Sequence, residues 1–160
     1  METIYFDRIV ELKKEKNFLE RELNVKIDIK GKYVRLDGEP LDEYEAYLVL
    51  DAINLSFPVK TAILLKDEEM IFKKINIKDF SRKKRLDIVK GRLIGTKGKT
   101  KRVLEEISGC KIKIKDNFVG IIGPAESVEY TLTGITNIIK GTKQTNVYKY
   151  LEKINTLRTS

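Results

Sequence analysis

The sequence predicts an α+β fold made of two copies of one unit, each a three-stranded sheet covered on one face by helices. Two observations predict this fold. When the 160-residue chain is aligned with itself, a match without gaps appears at an offset of 85 residues. Within each copy, apolar residues recur first at the period of a strand and then at helical spacing. We therefore expect two tandem units, at residues 1–65 and 66–160.

The internal match keeps both the residue types and their spacing. The aligned segments are Leu19-Glu20 with Leu104-Glu105, Val25–Lys30 with Cys110–Lys115, Tyr33-Val34 with Phe118-Val119, and Gly38 with Gly123. Lysine and isoleucine are common in this chain, so one shared run of them would carry little weight. The aligned glycine and the constant spacing indicate a duplicated unit.

Each unit is predicted to run strand, helix, helix, strand, strand, helix. The first strands are predicted at Ile4–Phe6 and Ile71–Ile77, and the second helices end at Phe18–Leu23 and Arg102–Ile107. A β-hairpin then follows, because isoleucines alternate with polar residues at positions 27 and 29 and again at 112 and 114. The second strands of the two hairpins are predicted at Tyr33–Leu36 and Phe118–Ile122.

The last helix of each unit is predicted to start at Pro40 and at Pro124, since proline suits the first helical turn. Apolar residues at helical spacing mark the core-facing side of each helix: Leu41, Tyr44, Leu48, Ala52 and Ile53, and then Val128, Leu132, Ile135, Ile138 and Ile139. A short helix at Val59–Leu65 is expected in the connection between the units, and an amphipathic segment at 143–157 is expected to pack on the second unit.

Composition favours binding over catalysis. The chain has no histidine and one cysteine, Cys110, which excludes a disulfide, a cysteine-cluster metal site and the histidine-dependent nucleophile systems. We expect no catalytic residues, no metal and no cofactor. No apolar run approaches the ~18 residues that a membrane span needs, and the first residues lack the features of a signal peptide. We therefore expect a cytoplasmic protein with no membrane partner.

Positive charge is concentrated in the second half of the chain. The net charge is +8 overall, but residues 1–65 have 10 basic and 13 acidic side chains, whereas residues 66–160 have 22 and 11. Residues 73–102 alone contain 13 lysines and arginines against Asp79 and Asp87. Such a density of like charge is self-repelling unless a polyanion neutralises it, and nucleic acid is the leading candidate.

The densest part of this charge is interrupted by glycines, in the stretch GRLIGTKGKTKR at residues 91–102. A P-loop requires glycine at position 93, where this chain has Leu93. A dinucleotide fingerprint requires two glycines two positions apart, but Gly91 and Gly95 are four apart. Both alternatives fail at a residue that their mechanism needs.

A third interpretation places Gly95 and Gly98 in a short loop between two helices. Glycine at both positions lets a nucleic-acid backbone approach closely, and the second helix would direct free N–H groups and its positive dipole end at a phosphate. A helix C-cap followed by a tight turn is the purely structural alternative. The position of the loop, before a β-hairpin and among lysines, favours nucleic-acid binding.

The run Ile94-Gly95-Thr96-Lys97-Gly98, followed by a helix and the 112–114 strand, resembles a KH domain, the module that clamps about four single-stranded nucleotides. The longer stretch from Lys90 to Arg102 resembles the second KH domain of the partner-of-Nob-one family. The resemblance covers nearly the whole chain, and its motifs are specific only in the second unit. It implies two tandem KH-like units of type I.

The resemblance also implies a function. Members of the family bind RNA near the 3′ end of small-subunit ribosomal RNA and assist the Nob-one endonuclease, and archaeal members also contact the α subunit of initiation factor two. The two-unit layout is similar to that of an archaeal member. The residues expected to contact single-stranded RNA are Lys90, Arg92, Ile94, Gly95, Thr96, Lys97, Gly98, Lys99, Thr100, Lys101, Arg102, Ile112 and Ile114.

The first unit lacks this loop. At the offset of 85, Gly95 aligns with Val10 and Gly98 with Lys13, so a side chain stands at both critical positions. We expect this unit to support the second one or to bind protein. A protein adaptor, a translation-linked RNA-binding regulator, and a nuclease using Asp87, Glu105 or Glu106 remain the alternatives to an RNA-binding assembly factor.

Overall fold

A computed structural model describes residues 3–81 and 85–159. The chain divides into two units, Met1–Asp67 and Glu68–Ser160. Each unit contains an antiparallel three-stranded sheet and helices, which confirms the predicted α+β fold. Within the part of the chain that is described, the helices are too short or too polar to cross a lipid bilayer.

The first unit runs strand, helix, strand, strand, helix, helix. Its elements are β1 (Thr3–Tyr5), α1 (Ile9–Leu23), β2 (Lys26–Lys30), β3 (Tyr33–Asp37), α2 (Pro40–Asn54) and α3 (Val59–Ala62), which continues as a 3-10 turn at Ile63–Lys66. The sheet order is β1-β3-β2, so the third strand in the chain lies in the centre. Alternate residues of β3, Val34 and Leu36, are buried, as the period-two pattern predicts.

The second unit has the same sheet with more helices. Its elements are β4 (Met70–Asn76), α4 (Leu86–Ile94), α5 (Lys99–Ser108), β5 (Lys111–Lys115), β6 (Phe118–Pro124), α6 (Ala125–Lys140) and α7 (Gln144–Thr159). The order β4-β6-β5 repeats that of the first unit. Helix α7 packs on α5 and α6, as predicted. Gly134 of α6 permits this close approach, because a Cβ there would lie 2.9 Å from a methyl carbon of Val147.

The prediction of two helices before the hairpin is wrong for the first unit. A single helix, α1, stands there. Tyr5 pairs with Tyr33 in the first unit, and Asn76 pairs with Phe118 in the second. The hairpin residues Tyr33 and Phe118 are 85 positions apart, but the first-strand residues Tyr5 and Asn76 are only 71 apart. Three residues separate Tyr5 from Ile9, whereas seventeen separate Asn76 from Ile94. The first unit therefore lacks fourteen residues, which correspond to the α4 region, and its first strand leads almost directly into α1.

The two units nevertheless share a core position at this junction. Phe6 donates its backbone N–H to the Lys32 carbonyl at 2.7 Å, and Ile77 donates its own to the Asn117 carbonyl at 2.8 Å. Both side chains are fully buried. In each unit, the first strand is thus followed by a buried apolar residue that bonds the hairpin turn. The core is complete at this position whether or not an additional helix follows.

A carboxylate joins the helix before the hairpin to the outer strand in both units. Glu20 Oε2 accepts the backbone N–H of Ile27 at 2.8 Å, and Glu105 Oε2 accepts that of Ile112 at 2.9 Å. These pairs are related by the offset of 85. Because β2 and β5 are edge strands, their outward N–H groups have no neighbouring strand to bond. Each glutamate satisfies one of these groups.

One predicted core face is wrong in part. In α2 the buried residues are Ala46, Val49, Leu50, Ala52 and Ile53. Leu41 and Tyr44, which were assigned to the core by their helical spacing, are instead exposed. Apolar residues of α2 therefore lie on two faces, and periodicity alone could not tell which face is covered.

The repeated carboxylate contact generates a stability prediction. Replacing Glu20 by alanine should lower the free energy of unfolding by about 1–2 kcal/mol, because a hydrogen bond from a partly buried backbone N–H to a charged acceptor is lost. Glu22→Ala is the matched control, since Glu22 makes only a surface ion pair with Lys66 at 3.5 Å, and such pairs contribute about 0–1 kcal/mol. Chemical denaturation measures both changes. Equal losses in the two variants would contradict a special role for Glu20.

Candidate nucleic-acid interface

The glycine-rich stretch forms a sharp loop between α4 and α5. Gly95 follows α4 with φ 77° and ψ 172°, a conformation essentially restricted to glycine. Thr96–Gly98 forms one 3-10 turn, in which Lys97 has φ 55° and ψ 30° and Gly98 has φ 76° and ψ 15°. Three of the four loop residues therefore have positive φ, and α5 starts directly after them.

Gly95 is required by the packing of the protein itself. A Cβ on this residue would lie 2.5 Å from the backbone nitrogen of Thr100 and would overlap Thr100 Oγ1. Thr100 is buried in the first turn of α5, so it cannot retreat without disturbing that helix. Gly95 therefore holds the end of α4 against the start of α5.

Gly98 has open space beside it. A Cβ on Gly98 would meet no atom within 4 Å, so only its positive φ favours glycine. The surface above this residue is free for the close approach of another backbone. The two glycines of the loop thus have different roles. Gly95 allows the two helices to pack closely, and Gly98 leaves the loop surface without a side chain.

The N-terminus of α5 has no side-chain cap and is surrounded by basic residues. Among the described residues, no side chain accepts a hydrogen bond from its first turn, and that turn holds lysines and an arginine but no acid. Basic residues repel the positive end of the helix dipole by about 0.3–1 kcal/mol each. A phosphate group would accept the free N–H groups and neutralise Lys99 and Arg102 at the same time.

Gly91 is a further candidate site residue, which the pattern of the loop alone does not identify. It lies inside α4, on the side opposite the buried Val89 and Leu93, and is exposed. A Cβ there would meet no atom within 4 Å. Glycine in a helix interior costs roughly 0.5–1 kcal/mol relative to alanine. Nothing within the described structure requires this glycine, and the exposed Ile88 and Ile94 flank it.

Arg92 has an internal role that differs from the predicted one. Its guanidinium donates hydrogen bonds to the carbonyl oxygens of Ile138 at 2.6 Å and Thr142 at 2.7 Å. These carbonyls lie at and just beyond the C-terminal end of α6, and the Ile138 carbonyl also accepts the backbone N–H of Gly141 at 3.1 Å. Arg92 therefore joins α4 to α6 through both terminal nitrogens of its guanidinium.

Three more of the predicted RNA contacts are engaged within the protein. Lys101 Nζ lies 3.2 Å from Glu105 Oε1, and both side chains are mostly buried. The side chains of Thr100 and Ile112 are buried, while Ile114 is half-buried. The predicted residues that remain exposed around the loop are Ile94, Thr96, Lys97, Lys99 and Arg102, with Lys90 and Gly98 half-buried beside them.

The one acid of α4 is held in its charged form. Asp87 accepts a hydrogen bond from Arg85 Nε at 3.4 Å, and this contact, more than any other, lowers the pKa of the Asp87 carboxyl. Both side chains are exposed. Asp87 is therefore ionised at neutral pH, and its charge is balanced by Arg85.

The first unit has a continuous helix where the second has the loop. Val10 and Lys13, aligned with Gly95 and Gly98, both lie within α1. Leu12, which aligns with Lys97, is buried in the core. The first unit therefore has no glycine loop before this helix, and the first turn of α1 contains an acid, Glu11.

Comparisons with known proteins identify relatives of this fold and of this loop. The family model of the second KH domain of PNO1 proteins, a eukaryotic-type KH domain (type I), matches residues 71–156. A KH domain-containing protein of Methanocaldococcus jannaschii is 30% identical over 145 residues, covering 86% of this chain and 64% of the relative. The pre-rRNA-processing protein pno1 of Emericella nidulans is 27% identical over 143 residues, covering 82% and 55%.

Among solved structures, a chain of the a/eIF2α–aDim2p–rRNA complex from Pyrococcus horikoshii superimposes with a TM-score of 0.88. It is 29% identical in sequence, and the match covers 97% of this chain and 93% of that chain. The chain therefore spans nearly all of this structural relative, but only about two thirds or less of the two curated relatives.

Because Gly95 and Gly98 have different surroundings, replacing each by alanine should lower the stability by different amounts. Gly95→Ala should destabilise the second unit by about 3 kcal/mol or more, because it combines a backbone conformation unsuited to alanine with steric overlap. Gly98→Ala should cost only about 1–2 kcal/mol, the strain of a positive φ. Thermal or chemical denaturation of the two variants measures the difference. Similar losses would show that Gly95 is not packed against α5 as described.

Proposed function

The chain belongs to the PNO1 (partner-of-Nob-one) family of KH-domain proteins, and we propose that it binds single-stranded RNA and acts as an assembly or processing factor for small-subunit ribosomal RNA. One observation carries this proposal: the loop presents an uncapped helix N-terminus, a bare glycine surface and exposed Lys97, Lys99 and Arg102 at one place. This arrangement suits a phosphate backbone.

We infer the details of RNA contact from exposure and charge. The bare surface at Gly98 and the α5 N-terminus receive a phosphate, with Lys97, Lys99 and Arg102 around it. Ile94 supplies an apolar contact on α4, and Gly91 beside it leaves a strip without a side chain, on which a base or sugar lies. Arg92, Lys101 and the buried Thr100 and Ile112 support the site from within and do not contact RNA directly.

The ribosomal target is supported by the relatives. One relative is named a pre-rRNA-processing protein, and one structural relative was solved as a complex of a/eIF2α, aDim2p and rRNA. We propose that this chain likewise binds near the 3′ end of small-subunit rRNA. The same resemblance leads us to propose the Nob-one endonuclease and the α subunit of initiation factor two as protein partners. The role is one of positioning RNA for other proteins, without catalysis by this chain.

A nuclease is less well supported by the acids beside the loop. Glu105 bonds both Lys101 and the backbone of β5, so it is occupied by structural contacts. Asp87 accepts hydrogen bonds from Arg85 at both of its carboxylate oxygens, and Arg85 lowers the pKa of this carboxyl. Glu105 thereby joins α5 to β5 beside the loop.

The loop itself provides the main test of RNA binding. Replacing Thr96 and Lys97 by aspartates should weaken binding to a single-stranded rRNA fragment by about 100-fold or more, because charged contacts to phosphate are lost and repulsion is added. Both side chains are exposed, so the melting temperature should change little. Fluorescence anisotropy gives the dissociation constant, and a thermal melt gives the stability.

The matched control lies in the first unit. Lys13→Asp with Lys14→Asp changes the net charge by −4, compared with −3 for the loop variant, at exposed positions of α1 that align with Gly98 and Lys99. If net charge alone governed binding, the control would be the weaker binder. We expect it to bind RNA within about threefold of wild type. A loop variant that melts normally and binds at full strength would overturn the proposed site.

Replacing Gly91 by alanine should change stability and RNA affinity in opposite directions. Gly91→Ala should raise the free energy of unfolding by about 0.5–1 kcal/mol, as alanine favours the helix. It should also weaken RNA binding by about tenfold, or about 1.4 kcal/mol, because the methyl group occupies the strip on which RNA lies. Thr133→Ala, at an exposed position of α6, is the control for helix propensity alone. A stabilised Gly91→Ala protein with unchanged affinity would remove α4 from the RNA contact.

A further inference from the structure

An apolar stripe lies on the outward face of α2. Leu41 and Tyr44 are 69% and 61% exposed, and Leu48 is half-buried beside them. Their spacing of three and then four residues places the three side chains on one side of the helix, away from the buried Val49 and Leu50. We call these three residues the α2 stripe. Single exposed apolar residues are ordinary on protein surfaces, but a row of three on one helix face is less so.

The aligned helix of the second unit shows that the fold does not require apolar residues on this face. At the offset of 85, the α2 stripe aligns with Glu126, Glu129 and Thr133 of α6, and all three are exposed. The same fold therefore places polar side chains at these positions in its other copy. The KH-like fold therefore does not require apolar residues in the α2 stripe, and exposed apolar residues lower the solubility of the protein.

The charge around the α2 stripe has one sign. Helix α2 contains four acids, Asp42, Glu43, Glu45 and Asp51, and no basic residue. Asp37 and Glu39 precede it directly. Asp42 accepts a hydrogen bond from the Asn24 amide at 3.1 Å, and Glu43 accepts one from the Gly38 N–H at 3.1 Å. Residues 37–54 therefore provide six acids and no basic residue on the segment that carries the stripe.

We propose that the α2 stripe is a docking surface for a basic segment of another protein, anchored by two or three apolar side chains. The apolar row supplies the buried centre of such an interface, and the acids supply its rim. Charge complementarity selects a lysine- or arginine-rich partner and excludes nucleic acid, which the acids of α2 repel. This surface acts independently of the glycine loop of the second unit.

The first unit also offers a matched comparison for the experiment. Leu41→Glu with Tyr44→Glu installs the residues of the second unit and adds two negative charges. Val10→Glu with Leu64→Glu adds the same two charges at other exposed apolar positions of the first unit, on α1 and after α3. A partner attracted by charge alone would bind both variants more tightly than wild type. A partner anchored by the α2 stripe would bind the first variant more weakly.

The probe is a synthetic lysine–leucine peptide of about 15 residues that forms an amphipathic helix, and a peptide of the same composition in scrambled order is its control. We expect the amphipathic peptide to bind the full-length protein with a dissociation constant at least about tenfold below that of the scrambled peptide. Leu41→Glu with Tyr44→Glu should weaken this binding about tenfold or more, whereas the Val10 and Leu64 variant should not weaken it. Amide chemical shift changes on titration should centre on α2.

Other outcomes would overturn the proposal. These are equal binding of the two peptides, unchanged or tighter binding by the Leu41 and Tyr44 variant, or shift changes that centre elsewhere. Weaker binding of single-stranded RNA by that variant, with a normal melting temperature, would assign the α2 stripe to the RNA surface instead. A wild-type dimer that the variant converts to monomer in sedimentation would assign it to self-association. Because RNA affinity is measured on the same variants, failure of this proposal is distinguishable from failure of the RNA-binding proposal.

Discussion

The geometry of the glycine loop depends on the close contact between the backbone of Gly95 and the first turn of α5. This contact allows α4 to end and α5 to begin within four residues, and it points the N-terminus of α5 outward. Any side chain at position 95 would separate the two helices. Positive charge near the loop would then remain, but the N–H groups, the lysines and the strip on α4 would no longer converge on one phosphate.

Sequence patterns revealed the elements of the fold because strand and helix periods depend only on neighbours in the chain. They could not reveal that α1 is one helix, since the aligned offset changes from 85 to 71 just before it. They also could not assign Arg92, whose partner Ile138 lies 46 residues away. The exposed face of α2 escaped prediction for the same reason: which face is covered depends on distant elements. Gly91 could have been found, because a glycine inside a helical pattern has a cost that demands a reason.

The two units show which part of the fold is structural and which is functional. The first unit closes its core with one helix before the hairpin, and Phe6 takes the place of Ile77. The fourteen additional residues of the second unit include most of α4 and lead into the loop. They add an exposed helix face and lead into the glycine loop, on a sheet that is complete without them. The two copies have thus diverged by a local change in length and by the polarity of a helix face, with the same strand order in both.

The glutamate that bonds the outer strand in each unit also bears on the behaviour of the protein at high concentration. An edge strand with free N–H groups invites pairing with the edge of another molecule, which is the first step of β-sheet aggregation. Glu20 and Glu105 each occupy one such group with a carboxylate attached to the neighbouring helix. The incoming strand of a second molecule would have to displace this carboxylate and leave a charge without its hydrogen bond. The same contact that fastens helix to sheet therefore protects each unit from adding a fourth strand.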